Sequence, residues 1–376
     1  MSSSWSRPAR SSNSTCSSRK GKARGAGVCT RSIHGYSLPV ETAHIGIIGA
    51  GISGLACARI LVDHGCSVTV FDKGRGPGGR ISSRRTEDAT YDHGAMFMDG
   101  PDALFQRQVQ RWASEGAVAQ WQVRCGAVSQ SGELTAKGEQ TRWVGTPTMS
   151  AVARAMARGI EVIAPFRVFT TSRDAAGWWC SDADGVRHGP FTHLVVSVPA
   201  PQAVPLVSES IALVDVATSI HFAPCLVAMC RYRTPIPVPF EMLTFEDPVL
   251  ALAVRDGHKP GRDAAGDAWV VHATAAWSDP HMLDSFADIG ANLEACFRER
   301  LGGAFPAAEH HVGHCWRYSQ VTRPAGAPFA TDPRVEMSMC GDGLLGSEAS
   351  HALSSGTALG NHLAQKFGGA VSAAAD

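Results

Sequence analysis

From His44 the chain is apolar at Ile45, Ile47 and Ile48, a density that predicts a parallel strand buried on both faces rather than an amphipathic one. Gly49-Ala50-Gly51-Ile52-Ser53-Gly54 interrupts the run, and helical spacing follows to about His64, where Gly65 stops it. A second apolar strand over 67–71 ends on Asp72. Beyond it, Leu104, Phe105, Val109 and Trp112 predict a helix over 102–112. The glycine-rich, polar stretch 126–140 reads as hairpin turns, and 150–158 as a helix with Ser150 as its N-cap. Short strands are expected at 161–163, 167–172, 177–181 and 193–198, the last stopped by Pro199-Ala200-Pro201-Gln202.

The texture changes over 203–330. Proline recurs (Pro235, Pro237, Pro239), and polar and apolar positions alternate at 223–231 and 269–275, which predicts a mostly antiparallel sheet with one helix over 288–301. A strand at 334–339 then delivers Cys340-Gly341-Asp342-Gly343, followed by a helix over 348–367. The expected fold class is α/β. A Rossmann-like cofactor-binding domain is assembled from 43–95, 142–202 and 331–370, with a second, mostly antiparallel α+β substrate domain from 96–141 and 203–330.

Charge changes the picture at one end only. The 376 residues balance to zero, but residues 1–40 hold seven Lys or Arg and no acid, leaving a formal −7 over 41–376. The expected folded part is therefore a poor nucleic-acid partner. Residues 1–42 are expected to be a disordered extension. Its composition suits an organelle transit peptide, or a start placed upstream of a cytoplasmic enzyme. No run of eighteen apolar residues is present, so no membrane span is expected. Eleven cysteines are scattered without a CxxC pair, which suits a reducing compartment. Glu309-His310-His311 with His314 lacks partner ligands at convincing spacing, so no metal is expected.

Strand, glycine turn, helix, strand and acid come in the order a dinucleotide-binding unit requires. Gly49 makes the tight turn, Gly51 admits a pyrophosphate, and Gly54 lets helix and strand approach. Asp72 stands where the adenosine ribose is held. The chain then enters Lys73-Gly74-Arg75-Gly76-Pro77-Gly78-Gly79-Arg80, a second flexible cationic loop able to wrap the same pyrophosphate. That favours FAD in a long cleft, with Arg80 and Arg85 adding charge. Lys73 and Arg75 leave the 2′-phosphate of NADP as the alternative. Asp342 could hold a sugar or ribityl hydroxyl, with the next helix pointing its positive end into the same cleft.

These segments resemble the renalase family of FAD-dependent oxidoreductases, within the wider amine-oxidase-like flavoproteins. The resemblance runs from Ala43 to about Phe367. It rests on IGIIGAGISGLACA, VFDKGRGPGGRISSRR, YDHGA, RWVGTP with Met149, SVPAPQA, Ala223-Pro224-Cys225, Lys259-Pro260-Gly261-Arg262, WVVHATAAWS, WRYSQV and CGDG. The first two suit many flavoproteins, whereas the ordered set is more specific.

The resemblance implies noncovalent FAD, a small-molecule dinucleotide substrate and dioxygen as partners. The reaction implied takes hydride from 2- and 6-dihydro isomers of NAD(P) onto flavin N5, giving NAD(P)⁺ and hydrogen peroxide. It places Gly49, Gly51, Gly54, Asp72, Arg80, Arg85 and Asp342 on FAD, and His272, Trp277 and Tyr318 on the substrate side. Arg317 could equally make a structural ion pair. Two departures stand out: the basic N-terminal stretch, and an Asp at position 72 where FAD enzymes commonly carry the longer Glu. A flavin amine oxidase or monooxygenase is the second reading, and a non-catalytic FAD-binding protein the third.

Overall fold

The structure, a computed structural model, describes residues 29–33, 36–40, 42–87, 89–262 and 266–368. The chain divides after Glu41 into two units. In the first, strands Cys29–Ile33 and Tyr36–Val40 pair antiparallel where no structure was expected; apart from Thr42, which belongs to the second unit, the rest of the extension over 1–42 lies outside the described residues.

The second unit is α/β. Its six-stranded sheet has the order Ala330–Asp332, Met337–Met339, His193–Val196, His44–Ile48, Ser67–Phe71, Glu161–Ile163, and only the first pair is antiparallel. Ile45 and Ile47 join Leu55, Val70 and Val195 in one core, while Ile48 joins Phe71, Leu194 and Val196 in another. Cover on both faces is why these strands read as nearly unbroken apolar runs. The second core is closed by the antiparallel meander Thr170–Asp174, Gly177–Ser181 and Arg187–Phe191, through Trp178, Cys180 and Phe191. The first helix, Ile52–Asp63, lies against the C-terminal helix, Ala349–Phe367. A methyl group at Gly356 would stand 2.0 Å from the Ser53 carbonyl oxygen, so the approach requires glycine.

A seven-stranded sheet has the order His310–Arg323, His221–Tyr232, Asp267–Ala273, Leu250–Arg255, Met242–Phe245, Val118–Val128, Leu134–Gly145. Only the pairing of Met242–Phe245 with Val118–Val128 is parallel. Period two divides its side chains between two faces. Val227, Met229 and Val270 join the core of the parallel sheet, whereas Leu226, Ala228, Trp269 and Val271 pack with Ile289, Leu293 and Phe297 of the helix Phe286–Arg300. His272, two residues from Val270, therefore faces the interior between the sheets.

Several expectations need correction. The stretch 126–140 is mostly strand, with its turn confined to the residues between Val128 and Leu134. Leu134–Gly145 is an edge strand whose first six residues are exposed, so it shows no apolar face to read. Ser150 is not an N-cap: Met149 occupies that position without a side-chain cap, and Ser150 Oγ accepts the Ser83 N–H at 2.7 Å. The strand expected over 167–172 forms at Thr170–Asp174. That over 334–339 shortens to Met337–Met339, because Asp332 accepts the Arg334 N–H and holds a turn there. The strand expected to reach residue 275 ends at Ala273, where Thr274 caps a short helix, Ala275–Ser278, by accepting the Trp277 N–H.

Candidate functional site

The first strand ends in Gly49, held at φ +112°, where a Cβ would lie 2.4 Å from the Ser197 carbonyl oxygen. Only glycine fits both the angle and the space. A Cβ on Gly54 would lie 2.0 Å from the Gly49 carbonyl oxygen, so Gly54 sets the closeness of helix and strand, while a Cβ on Gly51 would meet open space. The helix Ile52–Asp63 starts without a side-chain cap or an acid in its first turn. Its free N–H groups and positive end therefore remain available to an anion. Beside it, the hydroxyls of Ser53 and Ser197 are buried next to the Cys340 thiol.

These groups border a cavity of about 1090 Å³, above the roughly 300–1,000 Å³ usual for a site holding one ligand. Gly49, Gly51, Asp72, Arg80, Asp342, His272 and Tyr318 all line it. Gly54 sits behind its wall. Arg85 and Trp277 do not line it.

Asp72 braces the two glycine loops. Its Oδ2 accepts the Ala50 N–H at 2.9 Å and its Oδ1 the Gly74 N–H at 2.7 Å. Each oxygen keeps a lone pair for a further donor such as a ribose hydroxyl. Beside it, Lys73 Nζ donates to Gln202 Oε1 at 3.0 Å. Burial, with the Arg167 guanidinium nearby, pulls the lysine below its ordinary pKa, against the attraction of Asp72. Arg80 donates to Asp342 Oδ1 at 2.5 Å and to the carbonyl oxygens of Tyr318 and Ser319 at 3.3 and 3.2 Å. The two residues that sequence reading assigned separately to a cofactor thus form one charged unit.

Another part of the wall consists of His93, His272, His314 and Trp316. His272 Nε2 and Trp316 Nε1 both donate to the His93 carbonyl oxygen, at 3.3 and 2.9 Å. The His93 and His314 rings meet edge to face at 4.6 Å, and His314 meets Trp316 at 4.6 Å. Burial pulls the pKa of His93 down to about 3 and those of His272 and His314 to about 4. The Arg84 charge adds to the effect at His93 and His314. The three imidazoles are therefore neutral at neutral pH.

Behind this wall lies a buried ion cluster. Lys259 Nζ is 2.5 Å from Asp256 Oδ1 and 3.1 Å from Asp92 Oδ2, and Arg262 pairs with both acids. Asp92 Oδ1 also accepts from Ser83 Oγ at 2.6 Å and the Met149 N–H at 3.0 Å. Burial opposes ionisation of Asp92, but Lys259, Arg262 and these donors hold its carboxyl below the usual range; burial raises Asp256. Asp92 immediately precedes His93, so the cluster fixes the backbone on which the wall converges.

The signals for the missed residues were in plain view. His314 sits in a run that suggested metal ligands, and Trp316 and Asp92 occur in family motifs without an assigned role. Arg84 and Arg85 form a two-residue strand against Thr90–Tyr91. Alternation leaves Arg84 partly buried near the histidines and exposes Arg85, so the neighbour of the expected residue faces the site. Trp277 is carried away by the helix after Ala273; it stacks on His281 at 4.4 Å and packs against the core beneath Phe286–Arg300. Arg317 lines the cavity. The C-terminal helix does begin at the cavity, but the Glu348 carboxylate caps it in a reciprocal box with His351 and balances its positive end.

The NAD(P)-binding Rossmann-like domain family matches residues 47–114. Over 121 residues the chain is 31% identical to the tRNA 5-methylaminomethyl-2-thiouridine biosynthesis bifunctional protein MnmC of Thiobacillus denitrificans, covering 30% of this chain and 19% of that protein. Over 71 residues it is 37% identical to a 4,4′-diapophytoene desaturase of Staphylococcus haemolyticus, 18% of this chain and 14% of that one. The chain thus spans under a fifth of the length of these relatives. Among solved structures, a protoporphyrinogen oxidase candidate from Exiguobacterium sp. 255-15 superposes with TM-score 0.70 at 9% identity, over 87% of this chain and 99% of that one. Cyclohexylamine oxidase from Brevibacterium oxydans IH-35A gives 0.65 at 13%, over 86% and 99%. A putrescine oxidase triple mutant gives 0.65 at 12%, over 86% and 99%. The fold is shared with these oxidases. Among the described residues, no helix is long and apolar enough to cross a membrane.

Proposed function

We propose that this FAD-dependent oxidoreductase oxidises the 2- and 6-dihydro isomers of NAD(P) to NAD(P)⁺ with dioxygen as final acceptor, as in the renalase family that its sequence resembles. The residues present fit the cofactor. The uncapped helix N-terminus and the open space beside Gly51 suit a diphosphate. Gly49, Gly51 and Arg80 would hold that diphosphate, Asp72 the adenosine ribose and Asp342 the ribityl chain. When bound, FAD supplies a two-electron acceptor and returns the electrons to dioxygen as hydrogen peroxide.

The observation that carries the substrate reading is the uncharged wall of His93, His272, His314 and Trp316. The acids lining the cavity are all engaged elsewhere: Asp72 with backbone N–H groups, Asp342 with Arg80, and Glu348 with its helix. An ammonium group would meet no carboxylate at this wall, whereas a neutral dihydropyridine ring can pack against imidazole and indole. Oxidation of such a ring restores an aromatic cation, so the site must position it and needs no strong base. Imidazoles with pKa values near 3 to 4 are weak bases, which suits that demand. The large cavity has room for a second planar molecule beside a cofactor.

A second reading, amine oxidation, is favoured by the shared fold with cyclohexylamine and putrescine oxidases. Phe222 and Tyr318, edge to face at 6.0 Å in the cavity, are the aromatic pair it would use. Anaerobic stopped-flow absorbance separates the two. FAD-loaded protein is mixed with NAD containing the 2- and 6-dihydro isomers, with pure 4-dihydro NADH, or with a simple amine. Bleaching by the isomers alone, followed by recovery and peroxide on admitting air, is the expected result. Bleaching by the amine moves the assignment to amine oxidation, and bleaching by no donor leaves a non-catalytic FAD-binding protein.

A further inference from the structure

We propose that Lys73, Arg167 and Gln202 form a phosphate-binding subsite at the adenosine end of the cavity, apart from the glycine loops that would hold the cofactor diphosphate. The assignment is independent of which donor reduces the flavin. All three residues line the cavity, whereas Arg75, the other cation of the loop, does not. The Phe166 N–H donates to the Asp72 carbonyl oxygen at 2.7 Å, and the Asp72 N–H to that of Ile163 at 3.1 Å. The residues that follow this clasp, Lys73 and Arg167, are thereby held as neighbours. Gln202, from the segment after the strand His193–Val196, accepts from Lys73 Nζ with its Oε1 at 3.0 Å.

Two cations thus stand side by side, and the protein supplies no counter-charge for them. Among the described residues neither makes an ion pair, and the Arg167 guanidinium donates no hydrogen bond. Asp72, the acid beside them, already accepts the Ala50 and Gly74 N–H groups. Adjacent like charges repel, and an anion bound between them turns repulsion into attraction. Donors remain for it: Lys73 uses one N–H of three, Gln202 keeps its amide N–H groups, and the whole guanidinium fork is free. Both cationic side chains are open to solvent, so an anion reaches them without moving the wall.

Phosphate is the anion that this set fits, since it is doubly charged and accepts from several donors at once. FAD carries two phosphates, which the glycine loops and Arg80 account for. The ligand is therefore a further phosphate. It is either carried on the ribose of an adenosine nucleotide that takes the place of FAD, or free and bound beside FAD. In the first case ribose-phosphorylated nucleotides compete for the cofactor site. In the second, phosphate strengthens the retention of FAD.

The test reads flavin fluorescence as FAD leaves the loaded, full-length protein. In one arm FAD is displaced by AMP, by adenosine 2′,5′-bisphosphate or by its 3′,5′ isomer. In the other, FAD is released on dilution into phosphate or into chloride at equal ionic strength and pH. A ribose-borne phosphate makes one bisphosphate displace FAD at about tenfold lower concentration than AMP. A free phosphate instead slows release several-fold relative to chloride. In K73M/R167M either preference should fall to within about twofold of none. If that variant does not retain FAD, K73Q and R167Q are compared singly, each expected to lose part of the preference. No preference in either arm of the wild type overturns the subsite, and so does a preference that persists unchanged in the variants. Neither result bears on which donor bleaches the flavin.

Discussion

Arg80 and Asp342, 262 positions apart, are joined by a 2.5 Å charge-assisted hydrogen bond that ties the second glycine loop to the turn after Met337–Met339. Replacing Arg80 by Met removes a cation from the diphosphate side of the cavity and leaves Asp342 unpaired. FAD affinity should fall at least about tenfold and stability by about 1–3 kcal/mol. Flavin retained after gel filtration and urea unfolding of the apoprotein read the two effects. The double variant R80M/D342N should recover part of the stability but not the affinity, because it removes the orphaned charge without restoring the cation.

The Lys259 ammonium serves two carboxylates in a site closed to water, with side chains of Asp92, Asp256 and Lys259 at 0% exposure. In K259M, Arg262 alone faces Asp92 and Asp256. The expected loss is about 3–5 kcal/mol, measured by chemical unfolding. K259M/D256N should be less destabilised than K259M, since the one excess negative charge is then gone.

Acid should destabilise the protein well before its carboxylates titrate. Unfolded histidines bind protons near pH 6.5, whereas His93, His272 and His314 resist protonation down to about 3 to 4. Between these limits the unfolded chain holds more protons, so stability rises with pH and falls on acidification. The slope should approach about 1.4 kcal/mol per pH unit for each histidine. Unfolding curves between pH 7 and 4 measure it, and H272N should flatten the profile by one proton; an unchanged slope would count against a buried neutral His272.

Two tryptophans should behave oppositely. Trp277, stacked on His281 outside the cavity, contributes to packing. W277A should cost about 1–3 kcal/mol and leave the rate of flavin reduction unchanged. W316F removes the N–H that holds the His93 carbonyl, and should slow flavin reduction about tenfold while changing stability less. Stopped-flow rates and thermal unfolding on the same preparations check both.

The dinucleotide unit is legible in sequence because its causes are local. Gly49 needs a left-handed φ, Gly54 needs room for the neighbouring strand, and the apolar runs at 45–48 and 67–71 require cover on both faces. The helix at 103–114 is likewise announced by its apolar spacing, whereas that at 286–300 starts two residues before the expected 288 because Ser285 caps it. Reading fails where an element owes its form to a neighbour. Leu134–Gly145 is a strand because Val118–Val128 pairs with it, although its own residues look like a turn. Trp277 leaves the site because a single hydroxyl, Thr274 Oγ1, converts the end of a strand into a helix.

Sequence by itself determined the glycine loops, the acid after the second strand and the α/β order of elements, since each follows from the period and backbone demands of adjacent residues. Tertiary structure alone decided that His93, His272, His314 and Trp316 share one neutral wall, that Arg84 rather than Arg85 lies beside it, and that Asp92, Asp256, Lys259 and Arg262 close into one buried cluster. Those contacts join residues up to 223 positions apart. The burial that sets their charge states exists only once the two sheets enclose a common space.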